Sequence, residues 1–335
     1  MIMNNIAVFN GSFPLYWSSI VIFFGLLAAL FLSLALCKSN GTNESAILLF
    51  LPLAILISVP VCRLIHWYCN SEQYAGVLKA LTDYSSGSFC ISGALLGCWL
   101  SAVIVSRLGF GSSTAKVLDA FAPGAALAAA FIRLSALFNT TCRGKMIITI
   151  PMLQTLPIAS AVTNGSGGVE YRFASFFMEF LILILVTGIS VSFFYKNKDI
   201  KLKRGGKDGN VMRITLVMFC AVEFLFDSTR YDSSFMPING FVSFAQIVSA
   251  VCILAVLIYY SVNSIRSRGF RFYHFAMWLA YLLSLAGAGG LEYLVQRYGN
   301  LYYLWYPAMA LSLFLMVLVI FSLYKSCKRR KKKAA

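Results

Sequence analysis

The chain has 335 residues, 59% hydrophobic and only 12% charged, with 28 Lys and Arg against 12 Asp and Glu for a net charge of +16. A soluble domain carries about a quarter charged residues, so this composition excludes a water-soluble globule. In lipid every backbone polar group must be satisfied within its own segment, which makes apolar runs of about 20 residues transmembrane helices.

Nine such runs follow one another at 17–37, 45–62, 88–106, 118–138, 173–195, 211–227, 241–262, 273–291 and 302–324. The expected fold is all-α, a polytopic membrane helical bundle of about nine transmembrane helices. Residues 1–16 lack the basic start of a cleavable signal peptide, so Leu34-Ala35-Leu36-Cys37, a faint echo of a lipobox, reads as the end of the first span. The sixth run carries Glu223 and the eighth carries Gly287, Gly289 and Gly290, which weakens the apolar signal of both.

Charge sets the expected orientation. With the C-terminus inside, nine spans put the N-terminus outside, and the inner loops then hold 20 of the 28 basic residues. These are Lys38, Arg107, Lys116, Arg266, Arg268, Arg271, seven in 196–213 and seven in 325–333. The expected location is the bacterial cytoplasmic membrane. The positive charge reads as topology plus contact with anionic lipid heads. The Lys328–Lys333 run abuts a span, so no nucleic-acid partner is expected. The nine cysteines form no Cys-x-x-Cys pair and only two histidines occur, His66 and His274, so neither a metal nor another cofactor is expected.

Ionisable groups inside spans are costly and mark function. Arg133 ends the fourth run on the outer side, and Arg63 caps the outer end of the second. Arg172 and Glu179 begin the fifth, seven residues apart and so expected on one helical face. Glu223 and Asp227 lie four apart near the outer end of the sixth, with Arg230 three residues further on. Asp119 is the exception, starting the fourth span from the inside. Arginines at headgroup depth suit a phosphate, and a carboxylate pair can share a proton. Mutual neutralisation between helices is the competing reading. Two outer segments, 63–87 and 139–172, are long enough to act as lids or binding arms. Their tyrosines, Tyr68, Tyr74 and Tyr84, read as interfacial anchors.

Several segments over about 10–262 resemble, in order, the motifs of the prolipoprotein diacylglyceryl transferase family. Arg63-Leu64 resembles its Gly-Arg-Leu-Gly segment, Phe89 to Gly97 its Ser-Phe-His-Gly-Gly-Leu-Ile-Gly motif, and Leu118 to Pro123 its Asp-x-x-Ala-Pro helix start. Arg133 through Asn139 to Gly144 resembles the signature Gly-Arg-x-Gly-Asn-x-x-Asn-Gly-Glu. Arg172 to Glu179 resembles Arg-His-Pro-x-Gln-x-Tyr-Glu, and Asp227 to Ser233 resembles Glu-x-x-Arg-Thr-Asp-Ser. Departures are clear. Ser92 replaces the motif histidine. Ser135, Ala136 and Thr141 replace the signature glycine, first asparagine and glutamate. Ser18-Ser19 replaces a Tyr-Gly pair, and Glu223 stands where an arginine is expected.

The resemblance implies transfer of a diacylglyceryl group from phosphatidylglycerol to the lipobox cysteine of a prolipoprotein, with both molecules as partners. It places Arg63, Arg133, Asn139, Arg172 and Arg230 at the lipid headgroup and Ser92, Glu179, Glu223 and Asp227 in the catalytic set. It also divides the chain into a family-like domain, 1–265, and two further helices with a basic tail, 266–335. Two rivals remain open: a member that lost the chemistry and binds lipid or a partner, and a small-solute transporter. The transporter reading is opposed by charges that lie near one face and by the lack of an internal repeat.

Overall fold

A computed structural model describes residues 6–10, 13–82, 91–110, 112–163, 167–197, 208–235, 240–299 and 301–327. Tyr84, residues 164–166, most of the basic 196–213 segment and the Lys328–Lys333 run lie outside the described residues.

A hairpin of β1 (Ile6–Asn10) and β2 (Phe13–Tyr16) leads into α1 (Trp17–Asn40). Next come α2 (Glu44–Cys69), the short α3 (Val77–Thr82), α4 (Ile91–Arg107) and α5 (Thr114–Ser135). The one-turn α6 (Pro151–Gln154) and a second hairpin, β3 (Ala159–Thr163) with β4 (Val169–Phe173), precede α7 (Ser175–Asn197). The chain ends with α8 (Asn210–Thr229), α9 (Phe244–Arg268), α10 (Phe272–Tyr298) and α11 (Tyr302–Cys327).

Nine long helices thus follow the nine apolar runs among the described residues, and seven of them are long and apolar enough to cross a bilayer. This is a multi-pass membrane protein. The two that fall short are instructive. α4 is only 17 residues long. α8 carries Arg213, Glu223 and Asp227, and 15 of its 20 residues are buried. It packs against α5, α7, α9 and α11, so its charges face protein and not lipid, the condition under which a membrane helix tolerates them.

Helix contacts in lipid depend on small residues that let backbones approach. A Cβ on Gly97 of α4 would meet Ser58 Cα of α2 at 2.6 Å, and one on Gly124 of α5 would meet the Ala29 carbonyl oxygen of α1 at 2.8 Å. At the opposite end of the bundle from the carboxylates of α8, Asp119 of α5 accepts from the backbone N–H groups of Gly209 (2.5 Å) and Met212 (2.8 Å). An aspartate from one helix therefore caps the orphan donors that start another.

One core unites α5, α7, α8, α9, α10 and α11, with Val217, Leu257, Tyr260, Tyr281, Leu313 and Tyr324 among its members. Cys37 is buried inside α1, the end of the first span.

Candidate functional site

The C-terminal ends of α5 and α8 and the first turns of α7 converge. Arg133, at the last turn of α5, donates from Nε to Glu179 Oε1 (2.8 Å) and from Nη2 to both oxygens of Glu223 (2.9 and 2.8 Å). Arg230, just past α8, donates from Nη2 to both oxygens of Glu179 (3.0 and 2.9 Å) and to Glu223 Oε1 (3.3 Å). Asp227 Oδ1 stands 3.7 Å from Arg230 Nη1. Glu179 is fully buried and Glu223 nearly so, so these are charge-assisted bonds in a dry setting. Two arginines and two glutamates form one closed box, with Asp227 as a looser fifth member.

A loop segment closes this box from outside the bundle. The Gly144 N–H donates to the Phe173 carbonyl (2.8 Å), the Lys145 N–H to the Thr229 carbonyl (2.8 Å), and the Tyr231 N–H to the Arg143 carbonyl (3.1 Å). Gly144 pairs with Arg230 as an antiparallel bridge. A Cβ at Gly144 would meet the Phe173 carbonyl oxygen at 2.8 Å, so the close approach requires glycine there. Cys142, at φ 55°, receives Arg133 Nη1 at 3.7 Å, and its N–H donates to Asp232 Oδ2 (2.8 Å). Burial pushes its thiol up, against the pull of Arg133 and Arg230.

Arg143 is buried over the ring of Phe176 (4.4 Å). Its Nη2 donates to the Asn139 carbonyl (2.6 Å), whereas Nε and Nη1 have no hydrogen-bond partner. Burial pushes the Arg143 guanidinium down, a cost that an incoming anion would offset. Lys145 donates to Gln296 Oε1 of α10 (3.1 Å), and Gln296 in turn donates to Glu292 Oε1 (2.7 Å). Burial pushes Lys145 down as well, opposed by the carboxylates of Glu292 and Asp227.

Of the residues expected from sequence, Arg133, Glu179, Glu223, Asp227 and Arg230 come together. Arg172 lies on β4, not on α7, so the helical-face argument linking it to Glu179 does not hold. Its neighbour Phe173 is drawn into pairing, accepting from Gly144 and donating to the Met146 carbonyl (2.9 Å), and the helix starts only at Ser175. Arg172 pairs with Glu170 (3.1 Å) and lies over Tyr231 (5.7 Å). Asn139 turns inward on its own loop, accepting at Oδ1 from the Thr141 N–H (3.1 Å). Ser92 is buried in the first turn of α4, and no hydrogen bond joins it to the box among the described residues. Arg63 ties α2 to α3, donating from Nε (3.0 Å) and Nη2 (2.7 Å) to the Ala80 carbonyl. No group of three or more metal-binding side chains occurs among the described residues.

Cys142, Arg143 and Lys145 were not in the expected set. The available signal was the run Cys142-Arg143-Gly144-Lys145, two basic residues around a glycine in the long segment 139–172.

In all, buried N–H donors of two guanidinium groups have no hydrogen-bond partner at this end of the bundle, Arg143 Nε and Nη1 and Arg230 Nε, while Arg133 Nη1 meets only the Cys142 sulfur. Such a constellation suits a phosphate-bearing ligand held beside carboxylates.

Comparison with known proteins points the same way. The chain is similar to a phosphatidylglycerol–prolipoprotein diacylglyceryl transferase of Clostridium kluyveri, 26% identical over 255 residues that cover 75% of this chain and 93% of that protein. It is also similar to proteins of the same name from Bacillus cereus (23% over 259 residues, 77% and 91% covered) and Streptococcus uberis (23% over 271 residues, 80% and 98% covered). The model of the prolipoprotein diacylglyceryl transferase family matches residues 5–262, and with α1 to α8, most of α9 and every member of the ion-pair box inside that match, the chain belongs to this bacterial family.

Proposed function

We propose that the chain transfers a diacylglyceryl group from phosphatidylglycerol to the cysteine thiol of a prolipoprotein, at the outer face of the cytoplasmic membrane with its C-terminus inside. The family match and the names of the relatives support the activity. The observation that carries it is the buried box in which Arg133 and Arg230 share Glu179 and Glu223. Clustering of Lys38, Arg107, Lys116, Arg266, Arg268 and Lys325 at the helix ends expected to lie inside supports the orientation.

In this reading Arg143 and Arg230 take the lipid phosphate through their unpartnered N–H groups, and Arg133 joins them through Nη1 in place of its contact with the Cys142 sulfur. The thiol gives up its proton to Asp227, the carboxylate least tied by arginine. The sulfur then attacks the glycerol carbon bearing the phosphate ester. That C–O bond breaks, its electron pair stays on the phosphate oxygen, and glycerol phosphate leaves as the thioether forms. Glu179 and Glu223 hold the arginines in place, so charge stabilisation is built before substrate arrives. Cβ-free Gly144 lets the loop close over the box.

A second reading, a lipid- or partner-binding member without transfer chemistry, is favoured by Glu223. It engages both arginines where the resemblance calls for a cation. Expression in a host depleted of its own transferase separates the two. Lipidated prolipoprotein and restored growth are expected, and absence of both with good membrane accumulation refutes the transfer reading.

A further inference from the structure

α9 begins at Phe244, on the side of the box, and its 25 residues rise about 37 Å. Its last turn therefore lies at the far end of the bundle. There a cavity of about 360 Å³ opens between the ends of α9 and α11 and the first turn of α10. Arg268 and Arg271, from the junction of α9 and α10, and Lys325, near the end of α11, line it. All three are exposed, and none has a carboxylate partner among the described residues.

The cavity floor is a buried polar chain. The Arg271 N–H donates to His274 Nδ1 (3.1 Å), which leaves Nε2 to donate to Ser264 Oγ (2.9 Å). Ser264 then donates to Ser326 Oγ (2.7 Å), and Ser326 donates to the Leu323 carbonyl (2.6 Å). This chain fixes the three helix ends relative to one another and consumes no charge. The cations around it are left to find an anion elsewhere. Beside them, Phe270 (69% exposed), Phe272 (79%) and Phe275 (54%) present exposed aromatic rings, and aromatic rings next to cations are the side chains that suit a membrane–water interface.

We propose that this cavity binds the phosphate of an anionic phospholipid, with Arg268, Arg271 and Lys325 on the headgroup and Phe270, Phe272 and Phe275 against the acyl chains. The site lies beyond the residues shared with the family, on the face opposite the ion-pair box, and does not depend on the transferase reading. The exposed rings favour a lipid over a soluble phosphate, since free phosphate has nothing to set against them.

The test uses the full-length protein, delipidated in a non-ionic detergent and titrated with dioleoyl phosphatidic acid, retention being read by native mass spectrometry. The Arg268→Ala/Arg271→Ala/Lys325→Ala variant is expected to bind roughly tenfold more weakly or worse, from the loss of three surface cations. Arg268→Lys/Arg271→Lys should keep most of the retention. Phe270→Ser/Phe272→Ser should weaken the lipid while leaving the protein's thermal midpoint in place. Dioleoyl phosphatidylcholine should be retained by none of them. Equal retention by wild type and the triple variant overturns the site. Displacement of the lipid by inorganic phosphate at matching concentration overturns the lipid assignment in favour of a soluble phosphate.

Discussion

Arg133 Nη2 holds both carboxylate oxygens of Glu223, at 2.9 and 2.8 Å, across ninety residues of chain and between two helices. Glu223 sits where the family resemblance leads one to expect a positive charge, and its contact with Arg133 explains how the bundle accommodates it. The reversed charge is absorbed by the arginine facing it and by Arg230.

That relationship predicts non-additivity. Removing one partner of a buried ion pair leaves the other charge in a low-dielectric interior and costs about 3–5 kcal/mol. Arg133→Ala and Glu223→Ala are each expected to lower unfolding free energy by that order. The double variant should lose clearly less than the sum, because no lone charge remains. Titration of helicity with a denaturing detergent in mixed micelles measures all three. Strict additivity would mean that the box is not an energetic unit.

Arg143 is expected to act on lipid binding more than on the chemical step. Its Nε and Nη1 are buried and open, and it is not tied into the box. Arg143→Met should raise KM for phosphatidylglycerol about tenfold with a smaller change in kcat, the pattern of a group that grips substrate and transition state alike. Arg143→Lys should recover only part of the loss, since an ammonium lacks the planar fork. A transfer assay with labelled lipid and a lipobox peptide reads both constants. An unchanged KM in the Met variant would remove Arg143 from the headgroup.

Gly144→Ala tests the loop closure. The new Cβ meets the Phe173 carbonyl oxygen at 2.8 Å, a backbone atom already fixed by the Gly144 N–H. Overpacking of this kind costs about 1–3 kcal/mol. The strain falls on the bridge to Arg230, so activity should drop further than stability. Parallel measurement of transfer rate and thermal midpoint shows whether the two separate. Full activity in this variant would mean that the loop gives way freely.

How much of this was legible beforehand follows from the range of each interaction. The nine helices were readable because hydropathy is local: each expected run overlaps an observed helix, although those ending at 62, 262 and 291 stop six or seven residues before the helix ends at Cys69, Arg268 and Tyr298. The five box members were readable because charges in apolar runs are conspicuous. Arg172 falls on a strand and not on a helix because β4 pairs with β3 along one edge, Ser160 opposite Arg172, and with residues 144–148 along the other, pairings that helical spacing does not show. Cys142, Arg143 and Lys145 were passed over for the same reason, since only the folding of their loop onto α8 gives them a role. The capping of α8 by Asp119 is likewise a tertiary event with no local signature.

Cys142 should be a poor nucleophile. Burial raises its pKa, with Asp232 and Glu179 adding to the rise and Arg133 and Arg230 opposing it. A raised thiol pKa means less thiolate at neutral pH, with reactivity recovering only as pH climbs past the ordinary thiol range. Iodoacetamide labelling followed by peptide mapping should therefore show Cys142 modified more slowly than an unhindered thiol at pH 8, with the gap closing at higher pH. Arg133→Ala removes an opposing charge and should slow labelling further. Faster labelling in that variant would show that access, not charge, controls the thiol.

α10 and α11 lie beyond the family match, yet they are built into the same core. Tyr260 and Tyr324 have ring centroids 5.5 Å apart, Cys327 Sγ donates to the Tyr260 carbonyl (3.3 Å), and Tyr306 OH donates to the Ser228 carbonyl at the end of α8 (3.4 Å). In lipid, losing these helices does not expose the core to water; what is lost is close packing and interhelical hydrogen bonding. Lys145 also loses Gln296 and the nearby Glu292 carboxylate, which together help hold its charge against burial. A chain ending at residue 269 is therefore expected to insert but to accumulate at lower level, with a lower thermal midpoint and reduced transfer. Gln296→Leu in the full-length chain removes the amide that links Lys145 to Glu292, with a stability loss of about 1–3 kcal/mol from half-buried Lys145 and buried Glu292 left without that hydrogen bond. If the shortened chain matched the full-length protein in both midpoint and transfer rate, the last two helices would be an addition that the site does not use.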